Sequence, residues 1–493
     1  MSAQAFEGLE PTALTWLLRP SDALSEETST EKGCTGEIVE PAWLTERRQQ
    51  AQARFSEVGA PSRRDDAWKY VDLRTLQQTS FTPARALSVE NEARAFDQLT
   101  SAGHLLPEAA PLRLAFVNGA FCPRLSSSQA DIDEAAPGLV LTTLQAFLRA
   151  PEQWPDAINK DLPQSFLAGV SQEDDAFALL NAIHSRDAAL VILPEGVTLA
   201  RPLQLLFSQS GSAEHPQLSA QRAFVSMGAR SQATILVQTV GEDATPYWAN
   251  TGLDCLCAEE SRLNLVIAQV DGENGAGFLA TRARLDQKAH LSLTCATFGG
   301  HIARHALTVR LTGENAHLAL HGLNTLRGQT QSHQRAVVIH ETPNASSAQT
   351  FKGILDEQSR ADFDGIIVVS RDAVGTDATQ LNKNLLLSEE AVAYARPQLR
   401  IDADDVKCAH GATVGQLEPD ELFYLTSRGL PSAVAQCLLT FGFAEDIAQS
   451  VADPAIRQYL ERLILRNLDH QNSPLSCFTE CEICPASQSA HGC

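Results

Sequence analysis

The chain has 493 residues, with 38 Lys or Arg against 60 Asp or Glu, so its formal net charge at pH 7 is −22. This negative charge argues against nucleic acid or an anionic membrane as the main partner, because phosphate groups are bound by concentrated positive charge. The apolar content of 44% is sufficient for a packed core and excludes a chain that is disordered throughout.

Residues 1–40 are predicted to form a helix over 6–18 followed by a flexible, polar linker. The first 20 residues lack the basic region and apolar run of a secretory signal. No stretch of the chain has the roughly 20 consecutive apolar residues of a membrane span. A chain of this kind keeps its 11 Cys reduced, so the sequence predicts a cytoplasmic protein.

Residues 41–186 are predicted to form a mostly helical amino-terminal domain. Apolar residues recur three or four positions apart over 41–55, which is typical of an amphipathic helix. A short strand is expected over 112–119, and further helical segments over 141–184.

Residues 187–417 contain short β-rich segments that repeat. SQATILV at 231 resembles SRLNLVI at 261, and AHLSL at 289 resembles AHLAL at 316. A second series lies between them, with ATRARL (280–285), ALTVRL (306–311) and AVVIH (336–340). Two strands per 27–30 residues are too few for four-stranded propeller blades, which need about 40–45 residues. The pattern predicts a parallel β-solenoid, and a β-sandwich with accidental similarity is the alternative.

The carboxy-terminal part is predicted to be helical over 418–468 and flexible over 469–493. The tail carries a Cys cluster, which consists of Cys477, Cys481, Cys484 and Cys493. Clustered thiolates at this spacing can bind a metal or an iron–sulfur cluster. An unstructured tail that is merely open to oxidation is an equally good interpretation.

The segment IDADDVKCAHGATVG (401–415) holds the main candidate site. On one continuous strand, Asp402, Asp404, Cys408 and His410 would point to the same face. A thiolate and an imidazole are suitable ligands for iron or zinc, but two ligands do not complete a site. The pair is therefore a labile site, a site completed by another chain, or simply a buried Cys beside a hydrogen-bonded His.

Other chemistry-bearing residues indicate structure rather than function. His290 and His317 occupy equivalent positions in the repeat and are expected to stack at a corner. Cys255 and Cys257 are expected to be buried core residues. The sequence contains no nucleotide-binding GxxxxGK[ST] motif, and no local motif indicates a hydrolase.

The segment 401–443 resembles the carboxy-terminal signature of the SufB/SufD family of iron–sulfur cluster assembly proteins, and the match continues upstream over 359–401. FVNGAFCPRLS (116–126) and RRDDAWKY (63–70) also resemble elements of this family. The resemblance is to the SufD type, because the SufB paralogue usually has a Glu at the position of Gly411.

The resemblance implies a mainly β fold, a right-handed parallel β-helix core flanked by helical amino- and carboxy-terminal regions. It implies a non-catalytic scaffold subunit that joins a SufB-like paralogue and the SufC-like ATPase, with Phe423, Tyr424 and Arg428 near the ATPase contact. Cys408 and His410 would lie at the interface with the SufB-like subunit and contact a transient iron–sulfur cluster or iron.

The sequence is compatible with more than one cofactor content, oligomeric state and function. The sequence does not indicate whether the complex holds a flavin, or whether the chain forms a homodimer without its partners. A metal- or cluster-binding redox protein that acts through the Cys tail is the alternative function. A solenoid hydrolase is a weaker one, since the sequence shows no carboxylate-lined groove.

Overall fold

The computed structural model describes residues 40–468, apart from 85–87, 211–215 and 244. The helix predicted over 6–18, the linker that follows it and the Cys-rich tail lie outside the described residues. The predicted fold class is confirmed, since the described chain is a parallel β-solenoid between helical regions.

The solenoid is built from two parallel sheets that take alternate strands of the chain. The odd-numbered strands form the first sheet: β5 Ala189–Leu193, β7 Gln217–Met227, β9 Tyr247–Cys257, β11 Gly275–Leu285, β13 Ile302–Leu311, β15 Gln331–His340, β17 Arg360–Val369 and β19 Val392–Ile401. The even-numbered strands form the second: β6 Leu203–Gln209, β8 Gln232–Gly241, β10 Arg262–Asp271, β12 His290–Gly299, β14 His317–Leu326, β16 Ser346–Leu355, β18 Asp377–Leu386 and β20 Lys407–Gly415.

Four short strands of the amino-terminal region also join these sheets: β1 Thr82–Pro83, β2 Arg113–Val117, β3 Ala120–Phe121 and β4 Val140–Thr143. The predicted strand over 112–119 is β2, which pairs in parallel with β6. β4 was expected to be helical but pairs antiparallel with β5, because its sequence VLTT is rich in β-branched residues. The two sheets therefore end in short strands at the amino-terminal end of the solenoid.

The repeats seen in the sequence correspond to the strand register. Arg262 pairs with His290, and His290 pairs with His317, so the matching segments lie directly above one another. The rings of His290 and His317 are 5.4 Å apart and tilted by 50°, so the two residues are neighbours at equivalent positions, as expected, but their rings are not parallel. Corner residues such as Glu260 and Asn315 have φ near +57°, a left-handed conformation that turns the chain before each of the strands β8, β10, β12, β14 and β16.

The solenoid interior changes character along its length. In its earlier turns most inward side chains are apolar, as in Leu265, Leu293 and Leu320, and Cys255 and Cys257 belong to the same core, although the buried amides of Gln209 and Gln221 pair with each other there. Toward the carboxy-terminal turns the interior also contains buried amides, among which are Gln349 and Gln380. Those amides can be buried only where hydrogen-bonding neighbours satisfy them.

The amino-terminal helices pack on both sheets: the helix Ala176–His184 lies on the outer face of the odd-numbered sheet, and the helix Val89–Ser101 lies on the even-numbered sheet, where Leu99 clusters with Leu206 and Val240. The amino-terminal helices are α1 Ala42–Val58, α2 Arg74–Gln78, α3 Val89–Ser101, α4 Gln129–Ala135, α5 Leu144–Arg149, α6 Asp156–Ser165 and α7 Ala176–His184. The ring of Phe177 in α7 lies 5.2 Å from Trp248 and 4.5 Å from Phe278, both on the sheet. Burial of these aromatic surfaces fixes the helical region on the solenoid.

The carboxy-terminal helices are α8 Pro419–Ser427, α9 Ser432–Gln449 and α10 Pro454–Leu468. α9 and α10 pack on the even-numbered sheet through buried residues such as Ile447, Tyr459 and Ile464. The Lys352 ammonium on β16 donates a hydrogen bond to the carbonyl of Phe443 at 2.8 Å. None of the helices in the described residues is long and apolar enough to cross a membrane.

His305, inside the solenoid, gives the fold a pH dependence. Its Nε2 lies 2.9 Å from the Thr281 hydroxyl, and the ring is 4% exposed. Burial, aided by the nearby Arg304, lowers the pKa of His305 from 6.5 to about 3. Below pH 6.5 the unfolded chain takes up a proton at His305 that the folded state does not take up. The free energy of unfolding therefore decreases as the pH falls from 6.5 toward 3.

We expect His305→Gln to show this effect. The free energy of unfolding of wild type minus that of the variant should decrease by about 2 kcal/mol when the pH is lowered from 7 to 5, because only wild type carries the buried imidazole. Urea unfolding at a series of pH values measures the difference, and His410→Gln, at an exposed position, is the control. A difference that does not change with pH would contradict the prediction.

Candidate functional site

The last turn of the solenoid is open. β19 and β20 are the terminal strands of their sheets, so each has one edge without a partner strand in the described chain. The Lys407 N–H donates to the Thr376 carbonyl and so faces inward along the sheet. Because the backbone alternates, the N–H groups of Cys408, His410 and Ala412 face the free edge.

The two open edges differ in their capacity to pair. On β19 the Val392 N–H donates to Ser359, so the even-numbered residues face the sheet and Pro397 faces outward. Proline has no N–H and is typical of edges that do not pair with another strand. β20 contains no proline, so its outward groups can accept a further strand.

Cys408 and His410 lie on this open strand, and their side chains share the inward face. Cys408 is in register with Ala378 and His410 with Gln380. Cys408 is half-buried against a small apolar cluster that includes Ile367 and Ala378. Burial, followed by the charge of Asp377, raises the pKa of the Cys408 thiol. His410 is exposed. The pair thus stands at the boundary between the interior and solvent.

The expectation that Asp402 and Asp404 share the face of Cys408 and His410 is wrong. β20 begins at Lys407, and residues 402–406 form the corner that joins β19 to β20. Ala403 is buried in that corner while Asp402 and Asp404 are exposed, so the chain turns there rather than continuing as a strand.

The described residues contain no group of three or more His, Cys, Asp or Glu side chains placed to hold a metal ion. Cys408 and His410 remain candidate ligands, and the described residues place no third candidate beside them. Cys477, Cys481, Cys484 and Cys493 lie outside the described residues, and the prediction of a tail metal site stays a prediction. Cys255 and Cys257 are fully buried, and burial raises the pKa of both thiols, Cys257 to about 12.

α8 forms a second exposed feature close to the open strand. None of its residues is buried, and the side chains of Phe423 and Tyr424 are 72% and 58% exposed. The Arg428 guanidinium lies 5.2 Å from the centre of the Tyr424 ring. A cavity of about 360 Å³, lined by residues such as Glu421 and Phe443, lies beside the helix. Exposed aromatic pairs of this kind are typical of protein contact sites.

The segment RRDDAWKY has a structural role that the sequence did not reveal. Tyr70 stacks on Tyr394 of β19 with ring centres 4.1 Å apart, and the Arg396 guanidinium donates to the Asp66 carbonyl at 2.9 Å. Arg304 lies 3.7 Å over the ring of Trp68. The segment therefore links the helical region to the last turns of the solenoid. In the sequence, the close spacing of Trp68 and Tyr70 was the feature that could have indicated this packing role.

Two models of one protein family match most of this chain. The family model described as "SUF system FeS cluster assembly, SufBD core domain" matches residues 207–443, and the model described as "SufBD protein N-terminal region" matches residues 37–205. The chain belongs to the SufBD family. Its membership supports a role in iron–sulfur cluster assembly by the SUF system.

Relatives of the SufBD family match nearly the whole length of the chain. An iron–sulfur cluster assembly SufBD family protein of Synechocystis is 29% identical over 435 residues, which are 86% of this chain and 91% of the relative. SufD of Escherichia coli is 26% identical, over 84% of this chain and 91% of its own. SufD of Bacillus subtilis is 24% identical, over 87% and 95%. The resemblance to this family found in the sequence is thereby confirmed.

Proposed function

We propose that this SufBD family chain is a non-catalytic scaffold subunit that builds iron–sulfur clusters together with two kinds of partner in the cytoplasm. A SufB-like paralogue pairs with the open edge of β20, and a SufC-like ATPase binds at α8. The observation that carries the proposal is the open terminal strand, which bears Cys408 and His410 on one face.

The shape of the edge supports a partner that is itself a solenoid. A strand added to β20 would bond to the outward N–H and carbonyl groups of Cys408, His410 and Ala412. Pro397 has no N–H to donate at the outward edge of β19, so such pairing is expected at β20. A partner held there would stand next to Cys408 and His410 and would supply the ligands that this chain lacks.

The incomplete ligand set suits a scaffold. Iron or a nascent cluster is cargo for such a protein and has to be released to an acceptor. Two ligands from one subunit bind weakly by themselves and bind tightly only when a second subunit is correctly placed. Movement of the ATPase subunits on α8 would then change the placement and with it the retention of the cargo.

An anaerobic affinity pull-down from native cytosol tests the proposal, with Ala412→Pro as the decisive variant. We expect wild type to recover both an ATP-binding-cassette ATPase and a paralogous solenoid subunit. Ala412→Pro gives β20 the feature that Pro397 gives β19, because it removes one outward N–H without removing a bond to β18. We expect it to reduce recovery of the paralogue by about tenfold or more.

The controls separate the edge from the helix. Ala412→Ser keeps the N–H and should recover both partners, while Ala412→Pro should still recover the ATPase through α8. Undiminished recovery of the paralogue by Ala412→Pro would show that β20 is not the interface. If the chain were recovered alone, with metal that disappears on removal of residues 469–493, the redox alternative would replace the scaffold.

A further inference from the structure

A row of three polar side chains runs through the carboxy-terminal end of the solenoid interior. Gln349 on β16 is in register with Gln380 on β18, and Gln380 is in register with His410 on β20. Residues in register on adjacent parallel strands point to the same face, and the strands lie about 4.8 Å apart. Gln380 therefore lies between a buried amide and the exposed imidazole.

The Gln380 amide is held firmly on the side away from His410. The residue is 2% exposed, and its Nε2 donates to the Gln349 Oε1 at 3.0 Å. Across the interior, the backbone at Gly365 approaches so closely that a Cβ there would lie 2.5 Å from the Gln380 Nε2. Any larger residue at position 365 would displace the amide.

The other amide atom lacks a partner. The Gln380 Oε1 is buried and has no hydrogen bond in the described structure. A buried oxygen without a donor is unfavourable, so native proteins rarely leave one unsatisfied. The Gln349 Nε2 is also buried without a partner and makes no hydrogen bond to the Gln380 Oε1. The other neighbour of Gln380 in the row is His410, whose ring carries an N–H in its neutral form.

We propose that Gln380 is a positioning residue for His410. A change of rotamer at the exposed His410 lets one ring N–H donate to the Gln380 Oε1, a bond that the described conformation does not contain, and this keeps the other ring nitrogen unprotonated and directed to the shared site. This inference rests on the proposed function, since it assumes that His410 contacts the cargo. A second partner of this kind orients a ligating imidazole and raises its basicity.

Co²⁺ binding to the complex with the SufB-like partner tests the proposal, with Co²⁺ absorption as the readout. Gln380→Leu removes the acceptor and should weaken Co²⁺ binding about 10- to 100-fold. Gln380→Glu keeps an acceptor and should remain within about threefold of wild type. Gln334→Leu is the matched control, because Gln334 is another buried interior amide that lies outside the row.

A second readout needs neither metal nor partner. The rate at which diethylpyrocarbonate modifies His410, followed by mass spectrometry of the full chain, reports the fraction of neutral imidazole at each pH. Gln380→Glu should move the midpoint of this profile to higher pH, since a carboxylate favours the imidazolium. Gln334→Leu should leave the midpoint where it is in wild type.

The variants separate the ligand role of His410 from the positioning role of Gln380. If His410→Ala binds Co²⁺ as wild type does, the proposed role of His410 as a ligand is wrong, whatever the modification profile shows. If His410→Ala weakens binding but Gln380→Leu does not, the ligand role stands and the positioning role of Gln380 is overturned. Equal losses in Gln380→Leu and Gln334→Leu would also overturn it, because they would reflect interior packing alone.

Discussion

Replacement of both Phe423 and Tyr424 by Ala is expected to weaken binding of the SufC-like ATPase by at least about 100-fold. Exposed aromatic side chains at the centre of an interface commonly contribute about 2 kcal/mol or more each, and two of them together account for this loss. Both side chains project from a helix without buried residues, so the free energy of unfolding should change by less than about 0.5 kcal/mol.

Titration of the purified ATPase against the immobilised chain measures this effect. Phe121→Ala is a suitable control, because Phe121 is also an exposed aromatic residue but lies on β3 at the other end of the solenoid. Thermal unfolding of each variant shows whether the fold is intact. An ATPase affinity that is unchanged in the double variant would exclude α8 as the contact.

Asp254→Ala is expected to destabilise the protein by about 3–5 kcal/mol, because it would leave a buried cation without its partner. The Asp254 carboxylate accepts hydrogen bonds from Arg222 at 2.7 Å and from Arg282 at 2.9 Å, and the Arg222 side chain is 1% exposed. Burial alone would raise the pKa of Asp254, but the two guanidinium groups outweigh it and lower the pKa. The carboxylate is therefore charged in the folded protein and compensates Arg222.

Denaturant unfolding of wild type and variant measures this loss. Glu260→Gln is the control, because its ion pair with Lys288 at 3.1 Å joins side chains that are 40% and 51% exposed. Exposed pairs of this kind contribute at most about 1 kcal/mol, so this variant should unfold close to wild type. Equal unfolding midpoints for Asp254→Ala and wild type would show that the buried Arg222 does not depend on the carboxylate.

The solenoid could be predicted from the sequence because its strands repeat their contacts. Each turn faces the preceding turn, so a Leu that fits at position 291 is matched by a Leu at position 318 directly above it. The corners before β8, β10, β12, β14 and β16 each contain a residue in the left-handed conformation. Such constraints leave near-identical segments, of which AHLSL and AHLAL are the clearest. A one-dimensional repeat is therefore visible without knowledge of the fold.

The candidate site could be predicted only in part. The sequence paired Cys408 with His410, since alternate residues of a strand share a face, and the structure places both on β20. It could not locate the corner at residues 402–406, where burial of Ala403 turns the chain. It also could not reveal Gln380, because a residue 30 positions away becomes a neighbour of His410 only through the strand register.

The two ends of the solenoid bear on how large an assembly this chain can form. At the amino-terminal end, the sheets finish in β3 and β4, strands of two and four residues that offer little backbone to a newcomer. At the other end, Pro397 leaves β20 as the receptive edge. A subunit that can extend its sheet at one place only stops growing after a single joining event, so a chain rich in parallel β-structure can yield a closed pair and avoid fibre formation.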